Sequence, residues 1–257
     1  MVIKALSLYQ DRTSLVHTID PITKLVFILF SLSFPLILQN IYWSVGILIF
    51  CILLLLLGKV FKQTLPILGL SFILLLSILV IQGLYSPKNE TLFFSVGFIR
   101  FYEEGLLVAV RIILRVTTLL CSVCILVLTT KPSDLIQSLM KKGLPAKIGY
   151  VLNSVMQIIP EMRSTMATIS DAQRSRGIET EGKLITRIKA FFPLLGPVIM
   201  NALVSTRERS MALEVRGFNS TAKKSYLVEP TFSRIGFPLQ IVMMVVLAGA
   251  IGWRIFQ

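Results

Sequence analysis

Residues 65–84, LPILGLSFILLLSILVIQGL, run for twenty positions without one charged side chain. An α-helix rising about 1.5 Å per residue needs roughly that many apolar positions to cross the hydrocarbon of a bilayer. Backbone polar groups find no water there, so such a stretch must bond internally as a helix. Four more apolar stretches take the same reading, at about 22–38, 41–57, 106–128 and 235–253. Composition agrees: 54% of the 257 residues are hydrophobic, 15% are charged, and mean hydropathy is +0.79. Soluble domains carry roughly 25% charged residues. The expected fold class is therefore all-α: a polytopic membrane protein with about five transmembrane helices and a cytoplasmic-side domain of amphipathic helices. The first twenty residues contain Lys4, Asp11, Arg12 and Asp20 and lack the apolar centre of a cleavable signal, so the first span is expected to be retained.

Charge sets the expected topology. The formal net charge is +13, and residues 131–234 hold sixteen Lys and Arg against eight acids. Lys and Arg gather in cytoplasmic loops near membrane spans. With Lys4, Arg12 and Lys24 before or in the first span and Lys59 and Lys62 after the second, this puts the N-terminus and region 131–234 in the cytoplasm and the C-terminus outside. The organisation predicted is four spans in 1–130, a cytoplasmic-side region over 131–234, and a last span in 235–257. The basic excess is read as membrane topology, with lipid and not nucleic acid as its partner. Between the third and fourth spans, SPKNETLFFSVGFIRFYEEG (86–105) alternates aromatic and polar residues. It reads as an outer interfacial loop, with Tyr85, Phe93, Phe94 and Tyr102 at headgroup depth.

Within the basic region the apolar residues fall at helical spacing. PSDLIQSLMKKGLP (132–145) opens on Pro132, Ser133 and Asp134, carries Leu135, Ile136, Leu139 and Met140, and stops at Gly143 and Pro145, as a short amphipathic helix should. IGYVLNSVMQIIP (148–160) reads as a buried or interfacial helix ended or kinked at Pro160. From 161, Met162, Met166, Ile169 and Arg176 share one helix face, and Gly177 supplies a left-handed stop. After a polar linker, IETEGK (178–183), Arg187, Lys189 and two prolines leave open whether 184–204 crosses the membrane. Met200, Val204, Met211 and Val215 then form a second stripe, terminated at Gly217.

The two stops repeat a pattern. DAQRSRGIE (171–179) and MALEVRGFN (211–219) both hold Ala, three residues, Arg and Gly: Ala172, Arg176, Gly177 and Ala212, Arg216, Gly217. A cation near a helix C-terminus and a glycine after it are ordinary capping chemistry. Capping requires neither the alanine nor the repetition. The functional reading is a planar, multi-donor guanidinium projecting from each helix tip toward carboxylates or carbonyls of another protein.

Two amphipathic helices ending in Ala-x-x-x-Arg-Gly after several spans resemble the transmembrane T component (EcfT, CbiQ-like) of energy-coupling factor transporters, bacterial importers of vitamins and metal ions. HTIDPITKL (17–25), EEGLLVAVRIILR (103–115) and TTKPSDLIQSLMKKGLP (129–145) are similar to that family in the same order, so the resemblance covers nearly the whole chain. Ser175 and Val215 stand where the family often has alanine before the arginine. The resemblance implies that Arg176 and Arg216 dock into two cytoplasmic ABC-type ATPases, while the coupling helices hold a membrane-embedded, substrate-binding S component. It also implies that ATP is bound by those partners and not by this chain. Met156, Met162, Met166, Met200 and Met211 would suit a surface that re-packs against such partners, or equally an interior.

Other signals point away from catalysis. Gly58-Lys59 lacks a phosphate loop's first glycine, with Leu53 in its place, and has Val60 in place of Ser or Thr. Neither a nucleophile elbow nor a zinc-protease helix motif occurs, and there is no paired Asp cluster for magnesium. Cys51, Cys121 and Cys124 sit in apolar runs without metal-ligand spacing, and the lone His17 cannot form a His-rich site. No cofactor or metal is expected. Asp20-Pro21 reads as a helix start. Arg111 and Arg115 share a face of the fourth span with Glu104. They are read as snorkelling to the outer interface or paired internally. An alternative function, a self-contained channel or solute carrier, would use them as an anion filter.

Overall fold

The computed structural model describes residues 9–10, 12, 14–38, 40–85, 91–96, 99–177, 184–220 and 236–256; the linker 178–183 lies outside them. Eight helices run through the described residues: α1 (Pro21–Ile37), α2 (Ile41–Leu57), α3 (Phe61–Tyr85), α4 (Glu103–Thr129), α5 (Pro132–Lys141), α6 (Ala146–Ser175), α7 (Leu184–Val215) and α8 (Gly236–Phe256). Helices occupy all five apolar stretches. Among the described residues α3, α4 and α8 are long and apolar enough to cross a membrane, and α1 and α2 are shorter apolar helices. The protein is an all-α membrane protein with one small hairpin. It divides into two units, one holding α6 and α7, the other holding α1–α5, the hairpin and α8.

Local chemistry starts the helices where the sequence places them. The Asp20 carboxylate accepts from the Ile22 N–H at 3.2 Å, with Pro21 at the first helical position. That satisfies one of the orphan donors of a helix start. Asn40 does the same for the Tyr42 N–H at 3.3 Å, opening α2, and α5 begins on Pro132.

In the larger unit α4 is central: α1, α2 and α3 pack against it, and α8 packs on α1. Phe27, Phe34, Cys51, Leu55, Cys121, Ile125 and Leu128 are buried in this core. Between α1 and α4, the Ser31 hydroxyl donates to Ser122 Oγ at 3.0 Å, and both residues are buried. Small hydroxyl residues allow close helix approach where apolar burial drives little association, as in lipid. The same logic explains why α3 turns Leu70 and Ile73 outward, 79% and 73% exposed.

Lys24 is buried, and its Nζ donates to Thr129 O at 3.1 Å, Thr129 Oγ1 at 2.8 Å and Thr130 Oγ1 at 3.0 Å. Its three donors are thereby matched, and the start of α1 is tied to the end of α4. At α8, Thr23 donates to the Gly236 carbonyl and receives a bond from Gln240 Nε2 at 2.7 Å.

Two expectations need correction. Within 86–105, expected as an interfacial loop, β1 (Leu92–Val96) and β2 (Ile99–Tyr102) pair antiparallel, with Leu92 opposite Tyr102 and Val96 opposite Ile99. The alternation that suggested an interface is also the period-two signature of a strand. Of the two outcomes expected at Pro160, a helix end or a kink, the end does not occur: α6 continues for 30 residues through it, and α7 for 32 residues through Pro193 and Pro197. A proline deletes one backbone bond and crowds the carbonyl four residues back. A helix with many turns on either side keeps its remaining bonds and tolerates that loss, as membrane-protein helices commonly do.

Candidate functional site

The candidate site is built on α6 and α7. Tyr150, near the start of α6, packs its ring at a tilt of 55° against Phe218, just beyond α7, with centroids 5.2 Å apart. Glu161 accepts from Arg209 Nη2 at 2.6 Å. Moving forward on α6 thus means moving backward on α7, so the pair is antiparallel. Thr165, Ala202, Ser205 and Thr206 help line a crevice between the two helices. Leu194 and Val198 of α7 are buried. The ion pair is half-exposed and contributes less than about 1 kcal/mol.

Both Arg-Gly pairs sit at helix ends. Arg176 is the C-cap of α6, with φ −90° and ψ 6°, and Gly177 follows at φ +85° with its N–H on Arg174 O at 2.9 Å. Past α7, Arg216 donates its N–H to Ala212 O at 3.2 Å, and Gly217 has φ +71°. Gly217 donates to Glu214 O and Phe218 to Leu213 O, each at 2.9 Å. These two bonds, running backward past a left-handed glycine, are the Schellman closure of a helix. The left-handed backbone therefore favours glycine at both positions.

Ala172, Arg176, Gly177, Ala212, Arg216 and Gly217 are all exposed. Neither guanidinium has a hydrogen-bond or ion-pair partner among the described residues. Each alanine lies one turn before its arginine on the same face. One of the two side chains a turn before each arginine is thus a methyl group.

Because the helices are antiparallel, the two tips lie at opposite ends of the pair. Arg216 is close in sequence to Phe218, which touches Tyr150, and Arg176 is 26 residues beyond Tyr150. At about 1.5 Å per residue the tips stand up to roughly 40 Å apart.

The methionines divide by exposure. Met156, Met162, Met200 and Met211 are exposed, Met200 at 62%, while Met166 is half-buried. The α7 stripe of Met200, Val204, Met211 and Val215 is uncovered throughout.

The sequence model of the cobalt transport protein family, CbiQ, matches residues 12–227. The chain belongs to this family. Among the CbiQ-type relatives, the energy-coupling factor transporter transmembrane protein EcfT of Brevibacillus brevis is 29% identical over 264 residues, covering 97% of each chain. The proteins of the same name from Bacillus subtilis and Leuconostoc gelidum are each 30% identical, over 82% and 84% of this chain and 83% and 84% of theirs. The protein is thus a transmembrane component of an energy-coupling factor transporter, a multi-pass protein of the cell membrane and a transport subunit by family, not an enzyme.

The arginines of α4 take different places. Arg115 Nη2 donates to Pro35 O at 3.4 Å, and Arg111 is exposed. Glu104, expected on their face, accepts from Thr91 Oγ1 at 2.6 Å and from its N–H at 3.1 Å. His17 places its ring nitrogens against Ser14 Oγ at 2.7 Å and Gln10 O at 3.0 Å, an ordinary structural histidine. Sequence reading missed Lys24 as an anchor, because its partners lie 105 and 106 residues away.

Proposed function

We propose that the chain is the mechanical coupler of an importer of vitamins or metal ions. Arg176 and Arg216 each seat in a groove of one of two cytoplasmic ABC-type ATPases, and α6 and α7 carry the ATP-driven movement to a membrane-embedded S component. ATP is bound and hydrolysed by those partners. The exposed methionines and valines of α6 and α7 are the surface on which the S component rides; unbranched, polarizable side chains adapt to more than one partner shape. The N-terminus and the coupling helices face the cytoplasm and the C-terminus faces outside, a reading that the Lys and Arg distribution supports.

One observation carries the reading: two exposed arginines without a partner among the described residues, each set beside a left-handed glycine and one turn after an alanine, at opposite ends of an antiparallel pair. Two motors approaching each other need two separated handles on rigid levers. A charge-assisted hydrogen bond to a guanidinium contributes about 1.5–3 kcal/mol, so removing one handle should weaken attachment roughly ten- to a hundred-fold.

The test is co-purification of the ATPase pair with Arg176→Ala, Arg216→Ala and the double variant, together with uptake in cells. Single variants should retain part of the attachment and the double variant none. Circular dichroism and gel filtration should be unchanged, because neither side chain holds the fold. A double variant that still binds both ATPases and imports normally would falsify the docking role.

A further inference from the structure

At one end of the larger unit, where α1 and α8 finish and α2 and α4 begin, a cavity of about 680 Å³ opens. Its lining includes two cationic side chains, Arg111 and Arg254, the polar Asn40, and the apolar Trp43, Trp253 and Leu107; no carboxylate is among the lining residues. Arg111 has no partner among the described residues. Arg254 uses Nη1 to bond the Ile37 carbonyl at 2.6 Å, which leaves most of its five N–H donors uncommitted. One turn beyond Arg111, and outside the lining itself, Arg115 donates from Nη2 to Pro35 O at 3.4 Å. Its Nε is buried with no hydrogen-bond partner among the described residues. The N-terminus of the 17-residue α2 adds the positive end of a helix dipole.

We infer that this cavity binds a phosphate-bearing anion, and that its occupant in the membrane is the headgroup of an anionic phospholipid. A phosphodiester offers oxygens that match two guanidinium forks. The remainder of the lining selects the lipid source. Trp43 and Trp253 are 53% and 63% exposed, at the end of a membrane bundle, and tryptophan concentrates at headgroup depth, with an apolar body and one donor. Phe34 holds the Trp43 ring edge-on at 5.8 Å, so this wall is preformed. A zwitterionic headgroup would bring its ammonium group against the arginines; an anionic headgroup brings no such repulsion. The bound lipid would clamp the ends of α1 and α8 to the start of α4.

The test uses the full chain in nanodiscs of phosphatidylcholine alone, of phosphatidylcholine with phosphatidylglycerol, and of phosphatidylcholine with millimolar inorganic phosphate added. Thermal unfolding and the lipid retained in native mass spectrometry are the readouts. Phosphatidylglycerol should be retained and should raise the unfolding temperature. Arg111→Gln, which removes no contact within the described protein, should lower that retention about tenfold, the equivalent of one charge-assisted bond. Arg254→Gln should do the same, and Lys62→Gln, on exposed α3, should not. If phosphate stabilises the wild type but not Arg111→Gln and phosphatidylglycerol has no effect, the anion site stands with a soluble occupant. Equal retention of phosphatidylglycerol by the wild type and by both arginine variants overturns the inference.

Discussion

Lys24 shows what a buried cation requires of its neighbours. It is 4% exposed, and its three ammonium donors meet one carbonyl and two hydroxyls across the α1–α4 junction. An unpaired polar group left in such a place costs about 1–3 kcal/mol. Lys24→Met keeps much of the volume, removes all three bonds and leaves the acceptors of Thr129 and Thr130 without them. The unfolding temperature in detergent should fall by several degrees, at about 2–4 °C per kcal/mol for a chain this long. An unchanged temperature would mean that the threonines find other donors. Gly236 is a second such position. A Cβ there would meet Thr23 Oγ1 at 2.9 Å, and Thr23 is buried and already bonded at both Gly236 O and Gln240. Gly236→Ala should therefore destabilise by about 1–3 kcal/mol, as overpacking does. Gly249→Ala, with nothing within 4 Å, should be neutral or slightly stabilising in the same melt.

The helix ends give a sharper test of the elements that carry the arginines. Gly177 and Gly217 both have open space around them, so a larger side chain meets no neighbour there, only the left-handed backbone. Asparagine accepts that conformation and β-branched residues resist it. Gly217→Asn should keep both closing bonds and full ATPase attachment, while Gly217→Val should fray the last turn of α7 and weaken attachment through Arg216. Equal attachment by both variants would show that the cap geometry does not position the arginine. These ends were legible in the sequence because a Gly after an apolar stripe is a local signal. The five apolar helices were legible for the same reason, since hydropathy is read within about twenty residues. Elsewhere a local signal had two meanings. Alternation over 92–102 served equally for an interface and for paired strands, and only the partner strand decides between them. Pro160 argued for a helix end or a kink, and the end is excluded because the turns on both sides outweigh one missing bond. Lys24 and the Arg254–Ile37 contact join residues more than a hundred positions apart, beyond the reach of any spacing rule.

At the scale of the molecule, the two ends of the larger unit differ in chemistry, and that difference predicts orientation. One end gathers Arg12, whose Nη1 bonds Lys59 O, with Lys59, the start of α3, and Lys131 and Lys142 on either side of α5. The opposite end gathers Trp43, Trp253, Arg111 and Arg254, where α1 and α8 finish. Clustered Lys and Arg are retained in the cytoplasm, whereas indoles mark either interface. The first end should therefore be inside, and with five crossings the second should be outside. Single cysteines report this directly, because the native Cys51, Cys121 and Cys124 are buried in the core and shielded from a bulky reagent. Thr18→Cys, before α1, and Asn219→Cys, just past the Arg216 tip, are both exposed positions, as is Glu103→Cys at the start of α4. A membrane-impermeant maleimide added to intact cells should label position 103 and spare 18 and 219; on inverted vesicles it should do the opposite. Labelling of 219 from outside would place the arginine tip beyond the reach of any cytoplasmic ATPase and end the coupling proposal. Labelling of 103 and 18 from the same side would instead require an even number of crossings by α1, α2 and α3, so the two failures point to different errors.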